Sequence, residues 1–181
     1  VDAVVHSAFR SAGQRCSALR LLCVHESIAD KVIEMVQGAA LELAAGDAAL
    51  MVTDVGPVID AEAFESIQKH IERLKSTSKV VVGQQIPVQT APNTVAQCAF
   101  EVASIEDVKT EIFGPVLHIV RWGGDPALVI DQINALGYGL TLGIQTRIDS
   151  RAQQLAARAQ VGNVYINRAM TGAVVGVQPF G

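Results

Sequence analysis

The stretch SAGQRCSA at residues 11–18 decides the interpretation of this 181-residue chain, and the segment TEIFGP at residues 110–115 is its counterpart. In the first stretch a thiol is flanked by a glycine, an amide, a guanidinium and a hydroxyl. A turn and a neighbouring cation favour the thiolate, which is the nucleophilic form of cysteine. The alternative is a small buried cysteine, because free cysteine is among the most buried residue types. The polar neighbours favour the first reading, so Cys16 is the candidate nucleophile.

Outward from Cys16, short apolar runs alternate with segments of helical periodicity. Predicted helices start at Ser27, Asp60, Pro126 and Asp149, and the first of them ends near Gly46. The predicted strands are residues 19–25, 79–83, 94–102, 116–122, 140–146 and 162–167. Strands and helices in alternation are joined most simply as right-handed βαβ units in a parallel sheet. The pattern therefore predicts an α/β fold.

The composition limits the classes of protein that the chain can belong to. Half of the residues are hydrophobic, which is enough for the core of one sizeable domain. The net charge is −4, and the 14 basic residues are scattered, so the sequence does not predict a basic patch that would bind nucleic acid. Three cysteines at unrelated spacings argue against a disulfide framework or a zinc site and favour the reducing cytoplasm. No apolar run approaches the ~20 residues of a membrane span.

Four segments together resemble the catalytic domain of the aldehyde dehydrogenase superfamily: GQRCS at 13–17, EIFGP at 111–115, GNVYIN at 162–167 and QPFG at 178–181. The end of the chain, with Asn167-Arg168, Met170 and GAVVGVQPFG at 172–181, is similar to one member group. This group is the glutamate-semialdehyde (pyrroline-5-carboxylate) dehydrogenase domain of bacterial bifunctional proline utilization proteins. The resemblance covers essentially the whole chain.

The resemblance implies a three-layer α/β fold, with a mostly parallel sheet and helices on both faces. It makes residues 1–181 the nucleophile-bearing catalytic domain, as a fragment of a longer polypeptide. The chain contains no glycine-rich strand-turn-helix fingerprint for a dinucleotide, so the NAD-binding domain is expected upstream. The glutamate that serves the family as general base also belongs to an upstream segment. The isolated fragment is therefore expected to be inactive.

Glu111 and Phe113 have two interpretations. By charge alone, Glu111 is an exposed carboxylate at the end of a helical turn. By resemblance, Glu111 hydrogen-bonds the nicotinamide ribose hydroxyls of NAD, and Phe113 packs near the nicotinamide. An ionised acceptor strengthens each such hydrogen bond, which suits a carboxylate to this task.

The glycine-rich stretch that begins at Gly172 also has two interpretations. It is either a turn between two strands or a loop whose backbone approaches a ligand closely. The resemblance implies that Ser17, Gly172 and Ala173 hold the carboxylate of the substrate, with Phe180 against its aliphatic part. Neutral N–H and hydroxyl donors suit that role, since they bind an anion without a full positive charge beside the thiolate. Arg15 either tunes the thiolate or makes a structural ion pair.

The remaining cysteines and histidines are predicted to be structural. Cys23 and Cys98 lie in apolar surroundings that are typical of core or strand cysteines. No catalytic role is assigned to any of the four scattered histidines, which are His6, His25, His70 and His118.

The leading hypothesis is NAD-dependent oxidation of glutamate semialdehyde to glutamate in proline catabolism. The resemblance places this activity in a larger bifunctional protein, whose FAD-dependent proline dehydrogenase lies outside this chain, and implies homo-oligomers of the full-length protein. Three alternatives remain at this point: a dehydrogenase for another aldehyde, a non-catalytic oligomerisation module, and a thiol- or acyl-transfer enzyme that uses the same cysteine.

Overall fold

The structure, a computed structural model, describes residues 1–83, 91–173 and 176–177. Helices and strands alternate along most of this part of the chain, as the sequence predicts. In chain order the elements are α1 (Asp2–Phe9), a 3₁₀ turn (Arg10–Gly13), β1 (Leu21–His25), α2 (Glu26–Leu41), α3 (Ala61–Thr77), β2 (Lys79–Val82), β3 (Cys98–Glu101), a second 3₁₀ turn (Ile105–Asp107), β4 (Val116–Trp122), α4 (Pro126–Ala135), β5 (Thr141–Ile144), α5 (Asp149–Arg158) and β6 (Asn163–Ile166).

The strands of the described residues form two sheets. The larger sheet has the order β1-β4-β3-β2, in which β4 runs parallel to both β1 and β3. The smaller sheet consists of the parallel pair β5 and β6. Only the edge strand β2 is antiparallel to its neighbour, β3. The predicted α/β class with a mostly parallel sheet is confirmed, and the pairing of β2 with β3 is the antiparallel exception among the described strands.

Side-chain caps set the starts of two helices where the sequence places them. Asp60 Oδ1 accepts a hydrogen bond of 2.8 Å from the Ala63 N–H and caps α3. Asp125 Oδ1 accepts one of 2.9 Å from the Ala127 N–H, with Pro126 in the first helical position of α4.

No helix in the described part of the chain is both long and apolar enough to cross a membrane.

The strands β1, β2, β5 and β6 are shorter than predicted by one to three residues, and larger differences occur at α2 and β3. Helix α2 starts one residue before Ser27, because the His25 side chain rather than Ser27 accepts the capping hydrogen bond. It ends at Leu41 and not near Gly46. Gln97 Nε2 donates to the carbonyl oxygens of Ala40 and Leu43, at 2.7 and 2.8 Å, and so binds carbonyls at the end of this helix. The strand β3 is confined to Cys98–Glu101, and residues 94–97, which were predicted as its first part, lie outside it. Helix α1 was not predicted.

Two histidines form a hydrogen-bonded pair in the core, between α3 and β4. His118 is 1% exposed and its Nδ1 lies 2.8 Å from the Arg20 carbonyl oxygen, so Nδ1 carries the proton. Its Nε2 lies 2.8 Å from the Nε2 of His70, which must then donate. The remaining nitrogen of His70, Nδ1, accepts from Arg73 at 3.3 Å. This chain of donors requires both rings to be neutral.

The pair predicts an acid-sensitive fold. Burial, together with the neighbouring charges of His118 and Arg73, lowers the pKa of His70 from 6.5 to about 4, and burial likewise lowers the pKa of His118. The folded state thus binds fewer protons than the unfolded state below pH 6.5, so stability is complete above that pH and is lost as the pH falls. We expect the free energy of unfolding to fall by about 2 kcal/mol from His70 alone between pH 7 and pH 5.

Urea unfolding followed through Trp122, the single tryptophan of the chain, measures this change. The variant His70→Gln should show a pH dependence that is smaller by about that amount. An unchanged pH dependence in this variant would contradict the neutral-pair assignment.

Candidate active site

A short left-handed turn places Cys16 between α1 and β1. The backbone φ angles of Ser11, Ala12 and Gly13 are 57°, 52° and 63°, a conformation that is uncommon for residues with a Cβ atom. The turn after it is closed by a 3.0 Å hydrogen bond from the Ala18 N–H to the Arg15 carbonyl oxygen. Cys16 itself is exposed. The strained turn thus presents the thiol at the surface of a rigid scaffold.

The two sequence motifs touch each other through their glycines. A Cβ atom built on Gly13 would lie 2.2 Å from the carbonyl oxygen of Gly114. A Cβ atom on Gly114 would in turn lie 2.7 Å from Cδ1 of Ile67 on α3. Real Cβ atoms do not approach other atoms this closely. Gly13 faces backbone atoms and has a positive φ, so this position requires glycine, whereas a side chain at position 114 would force the Ile67 side chain to shift. The close approach sets the distance between the nucleophile turn and the EIFGP segment.

Cys16 and Glu111 line the same cavity, which has a volume of about 580 Å³. Its walls are mainly apolar side chains of β1, α2 and α4, together with the residues of β5. Glu111 makes no hydrogen bond or ion pair within the described residues. A carboxylate that lines a cavity and makes no hydrogen bond among the described residues is suited to accept hydrogen bonds from the hydroxyl groups of a bound molecule. These residues therefore fit the ribose of a nucleotide cofactor on the Glu111 side of the cavity. Phe113, which the resemblance places near the nicotinamide, is 45% exposed.

The structure also brings together three of the residues predicted to bind the substrate. Ser17 is 2% exposed, and its Oγ accepts a 3.0 Å hydrogen bond from the Gly172 N–H, although the two residues are far apart in sequence. Gly172 has a φ of +74°, and Ala173 follows it in a half-buried position. Phe180 lies outside the described residues. The Ser17 oxygen already accepts from Gly172, which leaves its own hydroxyl proton for a further acceptor.

Two further contacts surround this loop. Ser7 of α1, which is 1% exposed, accepts a 3.1 Å hydrogen bond from the Met170 N–H. Arg15 donates to Ser11 Oγ at 3.1 Å, and its Nη1 lies 3.5 Å from the position that a Cβ of Gly172 would occupy. The structural ion pair considered for Arg15 does not occur among the described residues.

The other two cysteines differ from Cys16 in their surroundings. Cys23 lies in β1 and Cys98 in β3, where the latter is buried. Burial raises the pKa of each of these two thiols to about 12. Both are therefore protonated near neutral pH and poor nucleophiles.

Arg20 is a residue that sequence reasoning missed. Its Nη1 donates to the carbonyl oxygens of Gly13 and Gly114, at 2.5 and 3.2 Å, and so joins the two motifs. Burial lowers the pKa of Arg20 to about 10, while the charges of Glu111 and Cys16 act in the opposite direction. The guanidinium remains charged at neutral pH. The available signal was a cation near the start of the apolar run at residues 19–25.

The fold agrees with comparisons to known proteins. The model of the aldehyde dehydrogenase family matches residues 1–181, so this chain belongs to that family. The bifunctional protein PutA of Escherichia coli (strain K12) is 47% identical over 186 residues, which cover 98% of this chain and 14% of the relative.

Two solved structures are also similar. A crystal structure of a mutant of proline utilization A (PutA) from Bradyrhizobium japonicum is 50% identical, with a TM-score of 0.94, and the match covers 99% of this chain and 18% of that one. The 1-pyrroline-5-carboxylate dehydrogenase from Thermus with bound NAD is 34% identical, with a TM-score of 0.89 and coverage of 99% and 35%. This chain thus spans between about a seventh and about a third of the length of these relatives.

Proposed function

We propose that this chain is the nucleophile-bearing part of an NAD-dependent dehydrogenase that oxidises L-glutamate γ-semialdehyde to L-glutamate. The observation that carries the proposal is the shared cavity of Cys16 and Glu111, beside a loop that Ser17 holds at Gly172. The relatives support the choice of substrate, because their names include PutA and 1-pyrroline-5-carboxylate dehydrogenase.

In the proposed reaction, the Cys16 thiolate adds to the aldehyde carbon and forms a tetrahedral thiohemiacetal. NAD, when bound, would supply the hydride acceptor for that carbon. The product on Cys16 is a thioester, and attack by water releases the carboxylic acid and restores the thiol. The water needs a general base, which we assign to another segment of a longer polypeptide. Glu111 would hold the ribose hydroxyls of NAD, and Phe113 would pack near the nicotinamide.

Substrate recognition follows from the Ser17 hydrogen bond. Ser17 Oγ accepts from the Gly172 N–H, so its hydroxyl proton points to the remaining acceptor, which we propose is the substrate carboxylate. The Ala173 N–H supplies a second donor, and Phe180 contacts the aliphatic chain. Hydrogen bonds to a charged acceptor are stronger than neutral ones, so this loop distinguishes glutamate semialdehyde from neutral aldehydes.

The variant Ser17→Ala tests the recognition. In the full-length enzyme we expect KM for glutamate semialdehyde to rise about 10-fold or more, because one hydrogen bond to a carboxylate is lost. Steady-state kinetics with a neutral aldehyde such as propanal should change much less.

The matched control is Ser7→Ala, since Ser7 anchors the same loop through Met170 without facing the carboxylate. This variant should affect both aldehydes equally. If Ser17→Ala also affects both equally, the carboxylate assignment is wrong.

We also propose that residues 1–181 work within a longer polypeptide. This chain spans 14% of a relative that is described as bifunctional. The proposed partners are an NAD-binding domain and an FAD-dependent proline dehydrogenase of the same polypeptide, in homo-oligomers in the cytoplasm. Among the described strands, β1 and β5 each lie at the edge of a sheet and have residues that line the cavity. We propose that a strand from another segment joins the two sheets there.

A direct activity assay tests the proposed function. The full-length protein should reduce NAD when supplied with glutamate semialdehyde, whereas the isolated chain of residues 1–181 should not. Absence of NAD reduction by the full-length protein would contradict the proposed function, and NAD reduction by the isolated chain would contradict the proposed need for further domains.

A further inference from the structure

Arg20 contacts both sequence motifs at once. Its Nη1 lies between the carbonyl oxygens of Gly13 and Gly114, and its Nη2 donates to the Arg15 carbonyl oxygen at 3.1 Å. The guanidinium carbon lies 5.1 Å from the centre of the Phe113 ring, a distance typical of a cation–π contact. One side chain therefore binds two backbone carbonyl oxygens just before Cys16, and it also contacts one carbonyl oxygen and one ring of the EIFGP segment.

The backbone of Arg20 is fixed as firmly as its side chain. Its carbonyl oxygen accepts two hydrogen bonds from His118 on β4, one of 2.9 Å from the backbone N–H and one of 2.8 Å from Nδ1. The main chain of Arg20 thus belongs to the rigid sheet, while the guanidinium reaches the two loops. Its Nε is buried without a hydrogen-bond partner among the described residues. The side chain therefore donates to the carbonyl oxygens of the loops while one of its own N–H donors has no acceptor.

We propose that Arg20 is a positioning residue that sets the distance between the Cys16 sulfur and the nicotinamide side of the site. It acts through Gly13, Gly114 and Phe113 and does not touch the reacting atoms. This inference rests on the proposed function, in which a hydride passes from the carbon bound to Cys16 to the nicotinamide.

The geometry requires arginine rather than any cation. Two carbonyl oxygens that converge on one point repel each other, and a positive donor between them removes that repulsion. A planar guanidinium reaches three carbonyls in fixed directions and stacks on a ring, whereas lysine offers one compact ammonium group. Lysine at this position keeps the charge and loses the geometry. The variant Arg20→Lys therefore separates the effect of the positive charge from the effect of the guanidinium geometry.

The test uses the full-length enzyme with Arg20→Lys and Arg20→Met, and Arg151→Met on the exposed face of α5 as the control. A misplacement of about 1 Å between reacting groups lowers rates about 100-fold. We expect kcat for glutamate semialdehyde oxidation to fall about 100-fold in both Arg20 variants. In the control Arg151→Met, kcat should stay at the wild-type value. With an aldehyde deuterated at the carbonyl carbon, the primary isotope effect on kcat should be larger in Arg20→Lys than in the wild type, because hydride transfer becomes rate-limiting.

Alkylation of Cys16 by iodoacetamide, which needs no hydride transfer, separates positioning from loss of fold. The alkylation rate of Arg20→Lys should stay within about threefold of the wild type, as expected for a thiol that keeps its neighbouring charge. Wild-type kcat and an unchanged isotope effect in Arg20→Lys would overturn the proposal. A wild-type enzyme that fails to oxidise glutamate semialdehyde would instead overturn the proposed function on which it rests.

Discussion

Replacing Cys16 with alanine in the full-length protein should lower kcat for glutamate semialdehyde oxidation on the order of 10⁴-fold or more. The expected loss is this large because covalent catalysis needs the nucleophile itself, and removal of a nucleophile removes the whole pathway. Steady-state NADH formation measures the change. Binding of NAD, followed by protein fluorescence, should remain within about threefold of the wild type, since Cys16 is exposed and supports no packing.

The matched control is Cys23→Ala, because Cys23 lines the same cavity but has a pKa raised to about 12 by burial. A buried protonated thiol contributes packing alone, so kcat should stay within about threefold of the wild type. Equal losses in the two variants would show that the cavity is sensitive to any change in volume and would contradict a nucleophilic role for Cys16.

The second large effect is expected from Gly13→Ala, which should lower the free energy of unfolding by about 3–5 kcal/mol. Two causes add. The new Cβ atom would lie 2.2 Å from the Gly114 carbonyl oxygen, and the φ angle of +63° disfavours any residue with a Cβ atom. Both neighbours of the clash are backbone, so no side-chain rotation relieves it. Urea unfolding of the chain, followed by Trp122 fluorescence, measures the loss.

Gly38 provides the control for this variant. It lies within α2, and a Cβ atom at this position would meet no other atom within 4 Å. Gly38→Ala should therefore stabilise the chain by about 0.5–1 kcal/mol, because alanine is the better helix former. A loss of less than 1 kcal/mol in Gly13→Ala would contradict the close approach of the two motifs.

The elements that the sequence predicts well are those decided locally. Strand β4 occupies 116–122 as predicted, because an apolar run between Pro115 and a Gly-Gly turn has defined ends. Helices α3 and α4 start where an aspartate caps them. By contrast, the end of α2 depends on Gln97, a residue far along the chain that binds its last carbonyls. No local pattern contains that contact.

The residues of the candidate site likewise fall into those that the local sequence predicts and those that depend on distant contacts. Cys16 stands out from its own neighbours, whereas Ser17 and Gly172 were assigned to one substrate site only through the family resemblance, and their mutual hydrogen bond was not predicted. Arg20 was missed because its partners Gly13 and Gly114 meet only in the fold. The hypothesis gives the histidines no catalytic role, and the pairing of His70 with His118 between α3 and β4 could not be predicted, since each ring alone fits a satisfied core histidine.

The central claim is that the aldehyde carbon becomes bonded to the sulfur of Cys16. The most direct test mixes the full-length protein with NAD and glutamate semialdehyde, quenches the reaction with acid within one turnover and locates the bound acyl group by peptide mass spectrometry. The account predicts a glutamyl thioester on the peptide that contains Cys16, and none in the Cys16→Ala variant. An acyl group on another residue, or NADH formation in the Cys16→Ala variant at the wild-type rate, would contradict it.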